Sequence, residues 1–222
     1  MKKIILLLAL AFSAFLSHAQ NAVTLKAGDT APDFKLKNVD NKEVSFGTFK
    51  DAKGYIVVFT CNTCPYAIGY EQRIIDLDKK FKSQGYPVIA INPNDPEAST
   101  ADTFAKMQDL AKEKKYSFPY LFDPGQKITD EYGAKRTPHI FIVSKTAKGN
   151  VVEYVGAIDN DPEGNNPQKV KYAEDVIASL KSGQKPAVTQ TKEIGCTVKR
   201  KAKAYVFCFR FQVSSFILVR LT

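Results

Sequence analysis

The period of the hydrophobic positions changes repeatedly along this chain. "YIVVF" (55–59), "PVIAI" (87–91) and "HIFIVS" (139–144) are short continuous apolar runs, rich in β-branched and aromatic residues, as expected of strands buried on both faces. From Cys64 to about Phe81 the positions Ile68, Ile74, Ile75, Leu77 and Phe81 follow a helical repeat that "SQGYP" ends. A second helix presents Phe104, Met107, Leu110 and Ala111 on one face, after the loop "NPNDPEAST" (92–100). Ser99, Thr100 and Asp102 are placed to cap its free N–H groups. Short alternating pieces around Phe34–Leu36 and Glu43–Phe46 predict an N-terminal hairpin, "PYLFD" (119–123) a short extended segment and "PGQKITDEYGA" a short helix. "GNVVEYVG" (149–156) reads as a strand after a turn, and Val170–Leu180 as a last helix. Strands alternating with helices predict an α/β sheet with parallel pairs.

The two ends differ from the body. Residues 1–19, "MKKIILLLALAFSAFLSHA", carry Lys2 and Lys3 before an apolar stretch, with Ser17 and Ala19 around His18. This is the pattern of a secretory signal peptide cleaved before Gln20. The apolar stretch is shorter than the roughly twenty residues a membrane span needs, so no stable span is expected. The protein is expected to be exported, and periplasmic if bacterial, where disulfides persist. The expected domain is 20–198, followed by a basic, Phe-rich tail at 199–222 whose strand-like alternation, Phe207, Phe209, Phe211 and Val213, lacks any acid or turn signal.

Charge adds little. The 32 basic and 23 acidic residues give a net charge of +9, but two lysines belong to the leader and six basic residues lie from Lys199 onward. The remaining body is nearly neutral, which removes nucleic acid as a favoured partner.

The chemistry lies in four cysteines, Cys61, Cys64, Cys196 and Cys208, and in the one histidine of the mature chain, His139. "TCNTCPY" (60–66) holds two of them with two residues between. A c-type haem site needs His after the second cysteine, where Pro65 stands. A zinc knuckle needs a second pair at similar spacing, and Cys196 and Cys208 are twelve apart. A purely structural bridge across so short a loop removes little chain entropy. Between a buried strand and a helix N-terminus, by contrast, unpaired N–H groups and the helix dipole stabilise a thiolate. Cys61 is then the nucleophile and Cys64 the resolving thiol. A second element is "RTPHIFIV" (136–143): a cis bond at Thr137-Pro138 would offer the Thr137 backbone to a docked chain, whereas a trans bond would merely start a strand. Cys196, in "EIGCTVK", is either an additional redox thiol that resolves an intermediate at Cys61 or Cys64 or merely a buried or free cysteine, and Cys208 has no motif around it.

Taken together, the C-x-x-C after a central strand and "TP" before a later one resemble the thioredoxin fold. "GDTAPDFKLKNVDNKEVSF", "INPND", "FPYLFD", "YGAKRTPHIFIV" and "EIGCTVK" resemble, over roughly residues 25–200, secreted thioredoxin-like members of the alkyl hydroperoxide reductase and thiol-specific antioxidant (peroxiredoxin-like) family. The resemblance implies a thioredoxin-like α/β fold, a central mixed β-sheet flanked by helices with an N-terminal β-hairpin extension. Peroxiredoxins of that family carry P-x-x-x-T-x-x-C. Aligning Cys64 as their reactive cysteine puts Cys61 at the Thr position and Val57 at the Pro position, and aligning Cys61 puts Val58 and Gly54 there. The Trp usual before the first cysteine of a thioredoxin is Thr60.

The expected function is an exported thiol-disulfide oxidoreductase with catalytic Cys61 and Cys64 and substrate-docking Thr137 and Pro138, needing no metal or organic cofactor. Its partners would be protein or small-molecule disulfides and thiols, with a redox partner to recycle it. The alternatives are a thiol peroxidase acting on peroxides, and a redox-inactive or copper-binding module built on the two cysteines and His139.

Overall fold

The structure is a computed structural model that describes residues 23–201. The expected leader at 1–19 lies outside them, as does the tail from 202 onward with Cys208. In chain order the elements are strands β1 (Leu36–Asn38), β2 (Glu43–Val44) and β3 (Gly54–Phe59), helix α1 (Pro65–Phe81), strand β4 (Val88–Asn92) and helix α2 (Phe104–Glu113). There follow β5 (Tyr120–Phe122), helix α3 (Lys127–Tyr132), β6 (Arg136–Thr137), β7 (His139–Thr146), β8 (Gly149–Gly156), helix α4 (Tyr172–Lys181) and β9 (Cys196–Thr197). Seven strands form one sheet in the order β2-β1-β5-β4-β3-β7-β8, and β6 pairs with β9 apart from it.

The sheet is mixed. β3, β4 and β5 run parallel, whereas β7 joins β3 and β8 joins β7 antiparallel. The hairpin of β1 and β2 adds to the far edge through the antiparallel pairs Lys37↔Phe122 and Asn38↔Leu121. All six residues of β3 are buried, which accounts for its unbroken apolar run. Period-2 alternation divides its side chains between two cores. Ile56 and Val58, with Val88, Ala90, Ile140 and Ile142, meet Tyr70, Ile74 and Leu77 of α1 and Val176 and Ile177 of α4. Val57 and Phe59, with Ile89, Ile91, Phe141 and Val143, face Phe34, Phe46 and Ile128 and Tyr132 of α3. This helix-covered mixed sheet with a hairpin extension is the thioredoxin-like α/β architecture the sequence resemblance implies.

Two local expectations change. Ile68 belongs to the apolar repeat on paper but is exposed, because steps of four residues place it with Gln72 and Asp76 on the solvent face of α1. Ser99, Thr100 and Asp102 do not cap α2: Thr100–Asp102 form a 3-10 turn, and Thr103 precedes the helix without a side-chain cap. Asp102 is turned inward instead, for a purpose that belongs to the site.

Candidate redox site

β3 delivers the chain to Thr60 and Cys61 at the parallel, C-terminal end of the sheet, and α1 begins immediately after Cys64. Cys64 occupies the N-cap with extended backbone, and Pro65 fills the first turn, where its missing N–H costs nothing. Cys61 and Cys64 are each 6% exposed and form a small cluster with Ala67, against which Cys196 packs.

Both sulfurs converge on Thr137. Cys61 Sγ lies 3.2 Å from Thr137 Oγ1, and Cys64 Sγ lies 3.1 Å from the Thr137 carbonyl oxygen. The Thr137-Pro138 bond is cis, as one of the two sequence readings had it. Burial pushes the Cys61 thiol up, and the Asp102 carboxylate adds to the rise. The Thr137 hydroxyl and the N–H groups of Cys64 and Thr63 pull in the other direction without overcoming burial. The N–H groups at the helix start thus reach the Cys61 sulfur, and in this closed arrangement burial outweighs them.

The fully buried Asp102 fixes that loop. Its carboxylate accepts hydrogen bonds from the Asn62 N–H at 2.7 Å, Asn92 Nδ2 at 3.1 Å, Asn94 Nδ2 at 2.9 Å and Ser99 Oγ at 2.5 Å. Tyr120 donates its hydroxyl proton to Asn62 Oδ1 at 2.8 Å and accepts from Asn92 Nδ2 at 3.0 Å. The "INPND" stretch is thus the framework of the C-x-x-C loop. Motif spacing alone did not point to Asp102, whose position before an amphipathic run looks like a helix cap.

The most consequential arrangement is covalent. Cys64 is bonded to Cys196, with Cα atoms 6.0 Å apart, and Cys61 is left as a free thiol. The pair expected to share a disulfide is divided, because β9 lays Cys196 beside the site through Arg136↔Thr197 and Thr137↔Cys196. A bland buried Cys196 is replaced by a partly exposed, bonded one. The Thr137 backbone is paired, and its partner is a strand of the same chain. The first residues of the expected tail are likewise tied to the body: Lys199 N–H donates to Asn94 Oδ1 at 2.8 Å, and Arg200 pairs with Asp130 at 2.7 Å.

His139 is buried, with Nδ1 unpartnered, and burial lowers its pKa to about 4. Among the described residues no group of three His, Cys, Asp or Glu side chains gathers as a metal set, so Cys61, Cys64 and His139 do not assemble a copper site. No described helix is long and apolar enough to cross a membrane.

Comparison with known proteins bears on the family and the fold. Residues 27–154 match the AhpC/TSA family profile. The thiol-disulfide oxidoreductase ResA of Geobacillus thermodenitrificans is 24% identical over 148 residues, 65% of this chain and 79% of that protein. Chloroplastic peroxiredoxin Q of Gentiana triflora is 34% identical over 108 residues, 48% of this chain and 45% of that protein. Among solved structures, an uncharacterized conserved protein from Geobacillus kaustophilus aligns with a TM-score of 0.73 and 30% identity, covering 80% of this chain and 94% of the other. A hypothetical protein from Sinorhizobium meliloti aligns with 0.74 and 28%, covering 81% and 97%.

Proposed function

We propose that this chain, which belongs to the AhpC/TSA family, is an exported thiol-disulfide oxidoreductase whose working pair is Cys61 and Cys64. The observation that carries the reading is the convergence of both sulfurs on Thr137, at an edge where an extended chain pairs. The Cys61 thiolate attacks a substrate disulfide: a Cys61–substrate bond forms and the other substrate sulfur leaves as a thiol. The Cys64 thiolate then attacks the Cys61 sulfur, the second substrate thiol departs, and Cys61–Cys64 is left oxidised by two electrons. The Thr137 hydroxyl and the N–H groups of Thr63 and Cys64 stabilise the Cys61 thiolate, while Asp102 holds the loop through Asn62. A reducing dithiol partner recycles the pair, and the reverse cycle oxidises dithiols. No cofactor enters these steps. Export rests on the leader at 1–19 and suits a disulfide-bearing fold.

A second reading is favoured by the Cys64–Cys196 bond itself. A peroxide would oxidise Cys64 to a sulfenic acid, and the Cys196 thiol would condense with it to the observed bridge, releasing water. Against it, Cys61 stands where peroxiredoxins place Thr.

Insulin reduction and peroxide consumption by the reduced wild type, Cys61→Ser and Cys64→Ser separate the two. The first reading expects insulin reduction that Cys61→Ser abolishes, and a covalent Cys61–substrate adduct accumulating in Cys64→Ser. Absence of that adduct sinks it, and rapid peroxide turnover that persists in Cys61→Ser but not in Cys64→Ser establishes the second.

A further inference from the structure

β9 occupies the Thr137 edge as a substrate strand would. It pairs antiparallel with β6, sets Cys196 opposite Thr137, and places the Cys196 sulfur on Cys64. Close approach is built in at Gly195, where a Cβ would fall 2.3 Å from the Thr137 carbonyl oxygen and 3.0 Å from the Pro138 nitrogen. Any side chain there would push the segment away from the cysteines.

The segment is pinned on both sides of this contact and lightly held within it. Upstream, Thr191 N–H donates to Val155 O at 3.1 Å, and Thr191 Oγ1 accepts from the Ala157 N–H at 3.0 Å. Downstream, the Lys199 carbonyl accepts from Asp95 N–H at 3.0 Å and from Gln126 Nε2 at 2.9 Å. Between these anchors the attachments are the two-residue β6–β9 pairing, exposed hydrogen bonds from Arg136 Nη1 to the Gly195 carbonyl at 3.3 Å and to Thr197 Oγ1 at 3.2 Å, the Val198 N–H to Lys135 O bond with the buried Val198 side chain, and the disulfide. A pairing so short has little stability of its own.

We propose that Ile194–Val198 is a built-in substrate mimic, and that Cys196 is a third redox cysteine whose bond to Cys64 closes the substrate edge until Cys61 displaces it. The inference rests on the oxidoreductase reading for the meaning of that edge. In the opening step the Cys61 thiolate attacks Cys64 Sγ. The Cys64–Cys196 bond breaks, a Cys61–Cys64 bond forms, and Cys196 leaves as a thiolate that takes up the proton Cys61 released. Electrons balance within the three sulfurs, with no external oxidant or reductant. The span between Thr191 and Lys199 then lifts, exposing the Thr137 backbone and the oxidised pair to a dithiol. In the closing step, which takes place while the pair is still oxidised, the Cys196 thiolate attacks Cys64 Sγ, the Cys61–Cys64 bond breaks, Cys61 leaves as the thiolate, and the Cys64–Cys196 bridge is restored.

The test maps disulfides by non-reducing peptide mass spectrometry and measures amide hydrogen exchange in the full chain, equilibrated in glutathione buffers of increasing oxidation. Wild type is expected to hold both bridges, Cys64–Cys196 and Cys61–Cys64. Cys61→Ser is expected to hold the first alone and Cys196→Ser the second alone, with amides of Lys192–Val198 exchanging at least about tenfold faster in Cys196→Ser than in Cys61→Ser. Gly195→Ala, which retains every cysteine, is expected to shift the mixture towards Cys61–Cys64. Wild type confined to Cys64–Cys196 at every buffer ratio, or equal exchange in the two serine variants, overturns the proposal. Insulin reduction on the same samples tests the underlying reading separately: if bridges interchange and the segment opens but no variant reduces insulin, the switch stands and the oxidoreductase reading falls.

Discussion

His139 is the residue at which proton chemistry bears most directly on stability. It starts β7, is 1% exposed, and packs with its ring tilted against Phe141, centroids 4.7 Å apart. Burial depresses its pKa to about 4 from an ordinary 6.5, with Glu193 opposing and Lys135 reinforcing the shift. Between those values the unfolded chain binds a proton that the folded chain refuses. Stability is therefore full above about pH 6.5 and falls as the pH drops towards 4, by at most about 3 kcal/mol. Urea midpoints measured from pH 7 to pH 4 should decline in wild type and decline less in His139→Phe; parallel slopes would show that His139 is not the source. At this scale the sequence was informative about identity and poor about surroundings. Cys61, Cys64, Thr137 and Pro138 were recognisable from spacing and neighbours. The closed cover over Cys61, which raises its pKa, depends on Asp102 and Asn62 meeting across a distance no local pattern records.

Among the elements, the turn that carries Asp102 matters out of proportion to its length. One carboxylate gathers donors from the C-x-x-C loop, from the end of β4 and from the loop after it. Asp102→Ala strips four donors of their acceptor in a buried place. At about 1 kcal/mol or more for each buried donor so exposed, it should lower stability by about 3 kcal/mol or more. Denaturant unfolding checks this, and insulin reduction should fall in step as the loop loses its register; an unchanged midpoint would mean that the network is not holding the loop. Asp102→Asn keeps two acceptor lone pairs and should be milder. β3, β4, β7 and α1 were legible because each carries its own periodic signal over five or more residues. β9 was not: Cys196 and Thr197 are extended only because Thr137 is beside them, and two residues make no period. The sole local hint was Gly195, whose reason is the carbonyl it must approach.

At the level of the whole molecule, the Cys64–Cys196 bond ties the start of α1 to the end of the described chain across 132 residues. Closing so long a loop constrains the unfolded chain heavily, so Cys196→Ser should lower stability by roughly 3–5 kcal/mol under oxidising conditions. The same variant compared with wild type in excess reductant should show no such gap. Thermal melts in both conditions measure the difference, and a gap that survives reduction would assign the effect to packing. An α/β sheet with parallel pairs was foreseeable from alternating elements, whereas the strand order was not, and the link between the chain's two halves lay in a cysteine of ordinary appearance.

Gly195 and its neighbours also set the terms of competition at the Thr137 edge. An occupant on the same chain does not diffuse away, and a short tether holds it at an effective concentration of order millimolar. A free peptide present at micromolar levels would face a rival roughly a thousandfold more abundant, whatever its own fit. Raising substrate concentration is then a weak way to gain entry, while breaking one sulfur–sulfur bond is a strong one, so turnover in such a design follows the redox poise of the compartment before it follows supply.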